Sequence, residues 1–335
     1  MIDTRNQKTL SSEKVDVHTL GEFEYCPRAG VLAFERQNGK PDSEAYRFPD
    51  MSYSPPFEIE SVRSEIDAKN LEIVRAILLM LGVLALMGIF GWFGGQTWTI
   101  PFWIAMTPIV WFLKVQLFDM VKLVRDLQNF DSATPQRLEE GPRAILEVSW
   151  WELVKVYQSR KPEAPHFSRE LGLAGAPFRL LTLHGRRIPV ILSSSRSKVL
   201  KSTHRVKLAA YSYLITTQEN VSHSDWGVVI FKDTKRGFAI PLGLNERNAM
   251  FVKLATLRGT LIGAAGGMEP AKAHPNACAG CHLNRPRVYR KGLSETKIID
   301  QKLAPYLPKD VSHHCDCGDR FQWTPPIYGS GKPKH

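Results

Sequence analysis

The sequence predicts a mixed α/β protein with a pair of membrane-spanning helices inserted in its N-terminal half. Three observations lead there. Between Glu170 and Ile215, two short apolar runs flank a Gly185-Arg186-Arg187 turn, the pattern of a β-hairpin. A helical period follows, in which Val206, Ala209, Ala210, Tyr213 and Leu214 recur three and four apart. Second, residues 76–113 contain no charged side chain, although the chain has 44 Lys+Arg and 33 Asp+Glu. Third, the formal net charge of +11 favours an acidic partner, either nucleic acid or an anionic membrane surface.

Taken in order, residues 1–20 are polar and lack the apolar core of a cleavable signal peptide. Val17–Glu35 is amphipathic and helical, broken at Cys26-Pro27-Arg28, where Pro27 suits the first turn of a second helix. Residues 38–58 carry Pro41, Pro49, Pro55 and Pro56 and read as a linker. Glu58–Arg75 is a charged helix leading into the uncharged run. A membrane span needs roughly 20 apolar residues, about 17 at the short end. The run therefore divides into spans at about 76–93 and 100–118, turning at Gly94-Gly95-Gln96-Thr97. Trp92, Trp98, Trp103 and Trp111 suit the interfacial belts. Arg63, Lys69 and Arg75 precede the pair, Lys114, Lys122 and Arg125 follow, and the turn is uncharged. The positive-inside rule then puts both termini and the soluble domain in the cytoplasm, at a bacterial inner membrane.

Beyond the spans, Phe118–Asn129 continues as helix and Ala144–Ser159 reads as an amphipathic helix, with 161–168 as a connector. After the hairpin and its helix come two strands, Trp226–Phe231 and Gly237–Leu242, then a helix over Asn245–Ile262. The expected organisation is 1–58 as a helical segment and linker, 59–130 as the transmembrane hairpin with flanking helices, 131–270 as an α/β core, and 271–335 as a cysteine-rich metal-binding region and loose tail.

These motifs occur in a familiar order: a Tyr25-Cys26-Pro27-Arg28 helix, a Gly175-x-Pro177 strand, an Ile188-Pro189-Val190 strand, an Arg205-x-x-Leu-Ala-Ala-Tyr211 helix and a late Cys278-x-x-Cys281. The order resembles the RecB-like branch of the PD-(D/E)XK nuclease superfamily, especially the CRISPR-associated exonucleases with a cysteine-ligated iron–sulfur cluster. The resemblance covers 17–35 and about 168–283 and skips the membrane pair. It implies a restriction-endonuclease-like core. It also implies an Asp on the strand after the glycine, a Glu-x-Lys on the next strand, and a Gln four residues before a Tyr on the helix. In that family the carboxylates hold divalent cations at the scissile phosphate. Here Phe178 stands at the aspartate, Ile191 at the glutamate, Ser193 at the lysine and Lys207 at the glutamine, while Tyr211 is retained. Residues 171–215 contain no Asp or Glu. An apolar side chain does not ligate magnesium. The expectation is a retained fold with an inactive site that binds nucleic acid or a protein partner through a basic face. The alternatives are a working metal-dependent nuclease with ligands supplied by Glu170, Asp225 or Asp233, and a membrane scaffold with no nucleic-acid role.

Cys278-x-x-Cys281 has metal-ligand spacing, and Cys315 and Cys317 follow it. By the resemblance, Cys26, Cys278 and Cys281 match three ligands of a [4Fe–4S] cluster, with Cys315 or Cys317 as the fourth. Zinc is the alternative metal, with His282, His313 and His314 as further donors; Cys26 is then an ordinary buried residue beside a C-terminal zinc knuckle. Arg186, Arg187, Arg196, Lys198, Lys201, Arg205 and Lys207 crowd around the vacated catalytic positions and form the candidate nucleic-acid face. Contact with anionic headgroups is the competing use of the same charges.

Overall fold

The computed structural model describes residues 14–37, 56–94, 100–138, 144–195, 198–219, 221, 224–268, 270, 284–288, 297–298 and 312–315. The chain begins with a two-residue strand, β1 (Val15–Asp16), and helices α1 (Val17–Tyr25) and α2 (Pro27–Gln37). The Asp16 carboxylate caps α1 by accepting from the His18 amide at 2.7 Å. Cys26 breaks the helix in an extended conformation, and Pro27 starts the next one where its missing N–H costs nothing.

Two long helices follow, α3 (Ile59–Gly94) and α4 (Ile100–Ser132), lying against one another. The Lys69 ammonium crosses between them, donating to Gln116 at 2.8 Å and reaching Asp119 at 3.8 Å. Among the described residues, one helix, Ile59–Trp92, is long and apolar enough to cross a membrane, with a window of mean hydropathy 2.5 that is only 6% buried. From Leu71 to Val121, large apolar side chains of both helices stand exposed, Trp92 at 86% and Ile104 at 69% among them.

The remaining elements build the α/β body. They are β2 (Leu146–Ser149), α5 (Trp150–Val154), β3 (Gln158–Arg160), β4 (His166–Ser168), β5 (Leu173–Gly175), β6 (Arg179–Leu183), β7 (Arg186–Ser193), α6 (Ser202–Glu219), β8 (Trp226–Phe231), β9 (Arg236–Pro241) and α7 (Leu244–Ala265). A six-stranded sheet runs β2-β9-β8-β7-β6-β3 and a small one runs β1-β5-β4. β6 and β7 form the expected antiparallel hairpin, turning through His184 and Gly185, both at positive φ. β7 passes through α6 to β8, which lies parallel beside it. Three further strands, β10 (Asn284–Val288), β11 (Lys297–Ile298) and β12 (Ser312–Cys315), pair antiparallel.

The large sheet is covered on both faces, so β8 is buried at all six positions. Its residues alternate between two cores. Val229 faces the cluster built with α1, α2, α6 and α7, while Val228 and Ile230 face the cluster that contains Trp150, Trp151, Val62 and Leu123. Val62 and Leu123 belong to the long helices, so the base of the helical pair is part of the second core. Gly227 lets α6 settle on the sheet: a Cβ there would lie 2.9 Å from Leu208 Cβ.

Several expectations need correction. Ala144–Ser159 is strand, short helix and strand rather than one amphipathic helix. Its Trp150 and Trp151 are both buried, and the Ser149 amide is held by Glu152 at 2.9 Å, so a capped single turn inserts between two sheet edges. The 161–168 connector contains β4, and part of the C-terminal region forms a three-stranded sheet.

Candidate functional site

The residues at the vacated catalytic positions do not converge. Phe178 packs edge-on against Phe57, ring centroids 5.0 Å apart, within the core on the long-helix side of the sheet. Ile191 lies in the opposite core, beneath α6. Ser193 follows on the same face as Ile191 and is buried; its hydroxyl accepts from the Ser195 amide at 3.3 Å. Side chains at Phe178 and Ile191 therefore serve two different hydrophobic layers.

Lys207 and Tyr211 rise from α6 on the Ile191 side. Tyr211 is buried against Gly175, where a Cβ would lie 2.9 Å from its ring. Burial, and then the nearby Asp16 carboxylate, raise its phenol well above the ordinary tyrosine range. The Lys207 stem lies over Gly21 of α1, where any Cβ would collide with its Cε. Its ammonium meets His18 Nδ1 at 3.4 Å. Burial lowers its pKa, and the charges of Glu22 and Asp16 pull it back up. One turn earlier, His204 is buried on α6 and its Nδ1 accepts from the Lys201 amide at 3.2 Å. Burial, then Lys207 and Lys201, lower its pKa to about 4. Asp16, His18 and Glu22 are thus the neighbours of Lys207 that a reading of 171–215 alone misses. The available signal was the i, i+4 placement of His18 and Glu22 on a capped helix.

The basic residues divide into committed and open groups. Arg187 is paired with Glu219, whose other oxygen lies 2.9 Å from His166 Nε2. Arg205 lies 3.9 Å from Glu246, and Arg179 makes a 2.7 Å pair with Glu58. Lys198 and Lys201, just before α6, are exposed and make up the open group, while Arg186 is half-buried and already engaged. Arg196 lies outside the described residues.

Nor do the acidic candidates assemble. Asp225 and Asp233 flank opposite ends of β8, roughly 20 Å apart for a six-residue strand. Glu170 lies elsewhere, accepting from the Tyr213 hydroxyl at 3.4 Å. Among the described residues, no three His, Cys, Asp or Glu side chains form a metal-binding group.

Of the cysteines, Cys26 is a free, buried thiol in the core beneath α6. Cys278, Cys281 and Cys317 lie outside the described residues, and Cys315 is placed by its backbone alone, opposite Asn284. Buried Arg28, two residues on from Cys26, donates from Nε to the Pro270 carbonyl at 3.2 Å. The Cys-Pro-Arg turn thereby holds Pro270, eight residues before Cys278.

A second buried cation lies across the sheet. Lys235, in the β8–β9 turn, is 2% exposed. Its ammonium bonds Asp126 of α4 at 2.8 Å and the Pro56 carbonyl, and sits 4.5 Å from the Trp151 ring centroid. Burial lowers its pKa, and the Asp126 hydrogen bond and charge oppose that shift. Beside it, the Trp150 indole donates to the Phe57 carbonyl at 2.8 Å. These contacts fasten the long helices to the sheet.

Scans against protein-family models and curated proteins return no match to this chain.

Proposed function

We propose that this protein is a membrane-anchored, catalytically inactive relative of the RecB-like PD-(D/E)XK nucleases that binds nucleic acid through its basic face. One observation carries the anchor: many large apolar side chains between Leu71 and Val121 are exposed, on a protein whose α/β body buries most of its own apolar residues. Water penalises that surface, and lipid does not. In this reading both α3 and α4 cross the bilayer. Arg63, Lys69, Arg75, Lys122 and Arg125 then lie at the end that joins the α/β body, which the positive-inside rule assigns to the cytoplasm.

The hairpin, crossover helix and parallel strand of β6-β7-α6-β8 support the nuclease-like reading of the body. The loss of activity rests on Phe178 and Ile191, which are apolar and belong to opposite cores. The nucleic-acid reading rests on exposed Lys198 and Lys201 beside the vacated positions. A [4Fe–4S] cluster, or zinc in its place, fits a buried Cys26 whose turn holds Pro270, eight residues before Cys278 in the sequence. Bound there, the metal would cross-link the N-terminal helices to the C-terminal region and add its binding energy to folding.

Three measurements test this. Labelled single- and double-stranded DNA incubated with the protein plus magnesium or manganese should be retained in a salt-dependent manner and remain intact. Metal-dependent cleavage abolished by Glu170→Gln or Asp225→Asn would establish the working nuclease instead. DNA retention unaltered by charge reversal at Lys198 and Lys201 would favour the scaffold. Iron and zinc analysis with a visible absorption spectrum on anaerobically purified protein should show a metal, lost in part or whole in Cys26→Ala.

A further inference from the structure

At the β3 edge of the large sheet, the face that carries α6 turns polar. Gln158, Thr182 and Arg187 form one row across β3, β6 and β7, because Gln158 pairs with Thr182 and Thr182 with Arg187. Residues directly opposite one another in antiparallel strands project to the same face, and so does Arg160, two positions along from Gln158. With Ser159 they line a cavity of about 500 Å³. That volume falls within the roughly 300–1,000 Å³ of small-molecule sites.

The electrostatics behind this cavity are built rather than incidental. Glu219, the last residue of α6, binds Arg187 and His166 together, which fixes the position of the Arg187 guanidinium while leaving it further N–H donors. His166 is 7% exposed, and its Nδ1 has no partner among the described residues. Its pKa is lowered first by burial, then by Arg187 and Arg160, so both guanidinium charges bear on one spot. Arg160 is exposed and has no carboxylate partner among the described residues. The side chains of this row therefore offer two guanidiniums, an amide and the Thr182 hydroxyl, with no acidic side chain among the lining residues.

We propose that this cavity is an oxyanion site that takes the terminal phosphate of a phosphate monoester. Guanidinium forks match phosphate oxygens in geometry as well as charge. A monoester presents three strong acceptor oxygens to the guanidinium N–H donors, more than the two free oxygens of a backbone diester. The ligand has two sources, a free nucleotide-sized phosphate or the phosphorylated end of a strand. The proposal stands apart from the nucleic-acid reading, which rests on Lys198 and Lys201.

The test is calorimetric titration of the full chain in lipid nanodiscs with inorganic phosphate, a nucleoside monophosphate, and an oligonucleotide with or without a 5′-phosphate. Inorganic phosphate and the nucleotide should bind. Arg160→Gln, which leaves the Arg187–Glu219 pair intact, should weaken both by about tenfold, the scale of one lost charge-assisted hydrogen bond. Thr182→Val should weaken them less. Unchanged thermal melting of Arg160→Gln establishes that the variant is folded. Preference for the phosphorylated oligonucleotide over its hydroxyl form identifies a strand end as the source, and equal binding identifies a free phosphate. The proposal is overturned if phosphate and nucleotide fail to bind at millimolar concentration, or bind equally well to Arg160→Gln.

Discussion

Lys235 and Lys207 are both withdrawn from water, on opposite sides of the same sheet. Lys235 is given a full set of partners: a carboxylate at 2.8 Å, a backbone carbonyl and a ring face. Lys207 is given a long contact to a histidine at 3.4 Å and the more diffuse fields of Asp16 and Glu22. The first arrangement is a joint, because its partners come from the linker, α4 and α5 and close only when the helical pair is docked. The second leaves an ammonium with donors to spare beside the vacated catalytic positions. Burial alone does not separate a charge that holds the fold together from one that does not; the completeness of the partner set does.

Breaking the joint should give the largest effect. Asp126→Asn leaves a buried ammonium without its counter-charge and should cost about 3–5 kcal/mol in denaturant unfolding. Replacing both partners, as in Asp126→Leu with Lys235→Met, should recover most of that loss, because no charge then remains buried. A double variant as unstable as the single one would show that the pair is not the joint.

Acid probes the Lys207 side. His204 titrates near 6.5 when unfolded and at about 4 when folded. Above pH 6.5 it is neutral in both states. Between the two values only the unfolded chain binds the proton, so stability falls as pH falls and levels off below about 4. The loss is up to about 3 kcal/mol, and His204→Gln should flatten it in melts taken from pH 7.5 down to 4.

Lys207→Met should change stability by less than about 1 kcal/mol, since the relieved burial penalty offsets the lost contact. A cost comparable to that of Asp126→Asn would erase the contrast between the two lysines. The smallest effect concerns binding. Lys198→Gln and Lys201→Gln should each reduce the salt dependence of DNA retention by about one counterion, whereas Lys207→Gln, half-buried under α1, should leave it unchanged.

Much of the fold was legible because local signals and the packed layers agree. Pro27 does start α2, Trp226–Phe231 is β8 residue for residue, and the Gly185 turn joins β6 to β7. Ala144–Ser159 misled because Leu146, Trp150, Leu153 and Tyr157 satisfy a helical period while the neighbouring β9 and β6 offer strand partners. Less of the candidate site was legible. Arg187 and Arg205 read as part of a basic field, and each is claimed by a carboxylate distant in sequence, Glu219 and Glu246. Lys235 reads as an ordinary turn residue, and nothing near it in sequence announces Asp126.

By itself the sequence determined the α/β class, the apolar helical pair and the absence of acidic residues from 171–215, because periodicity, apolar run length and residue chemistry are local properties. Only the tertiary structure decided which charges remain open, that Phe178 and Ile191 belong to opposite cores, and that the helical pair is bolted to the sheet through Lys235. Those outcomes depend on which distant residues a sheet and its helices bring within a few ångströms, and spacing along the chain does not encode that distance.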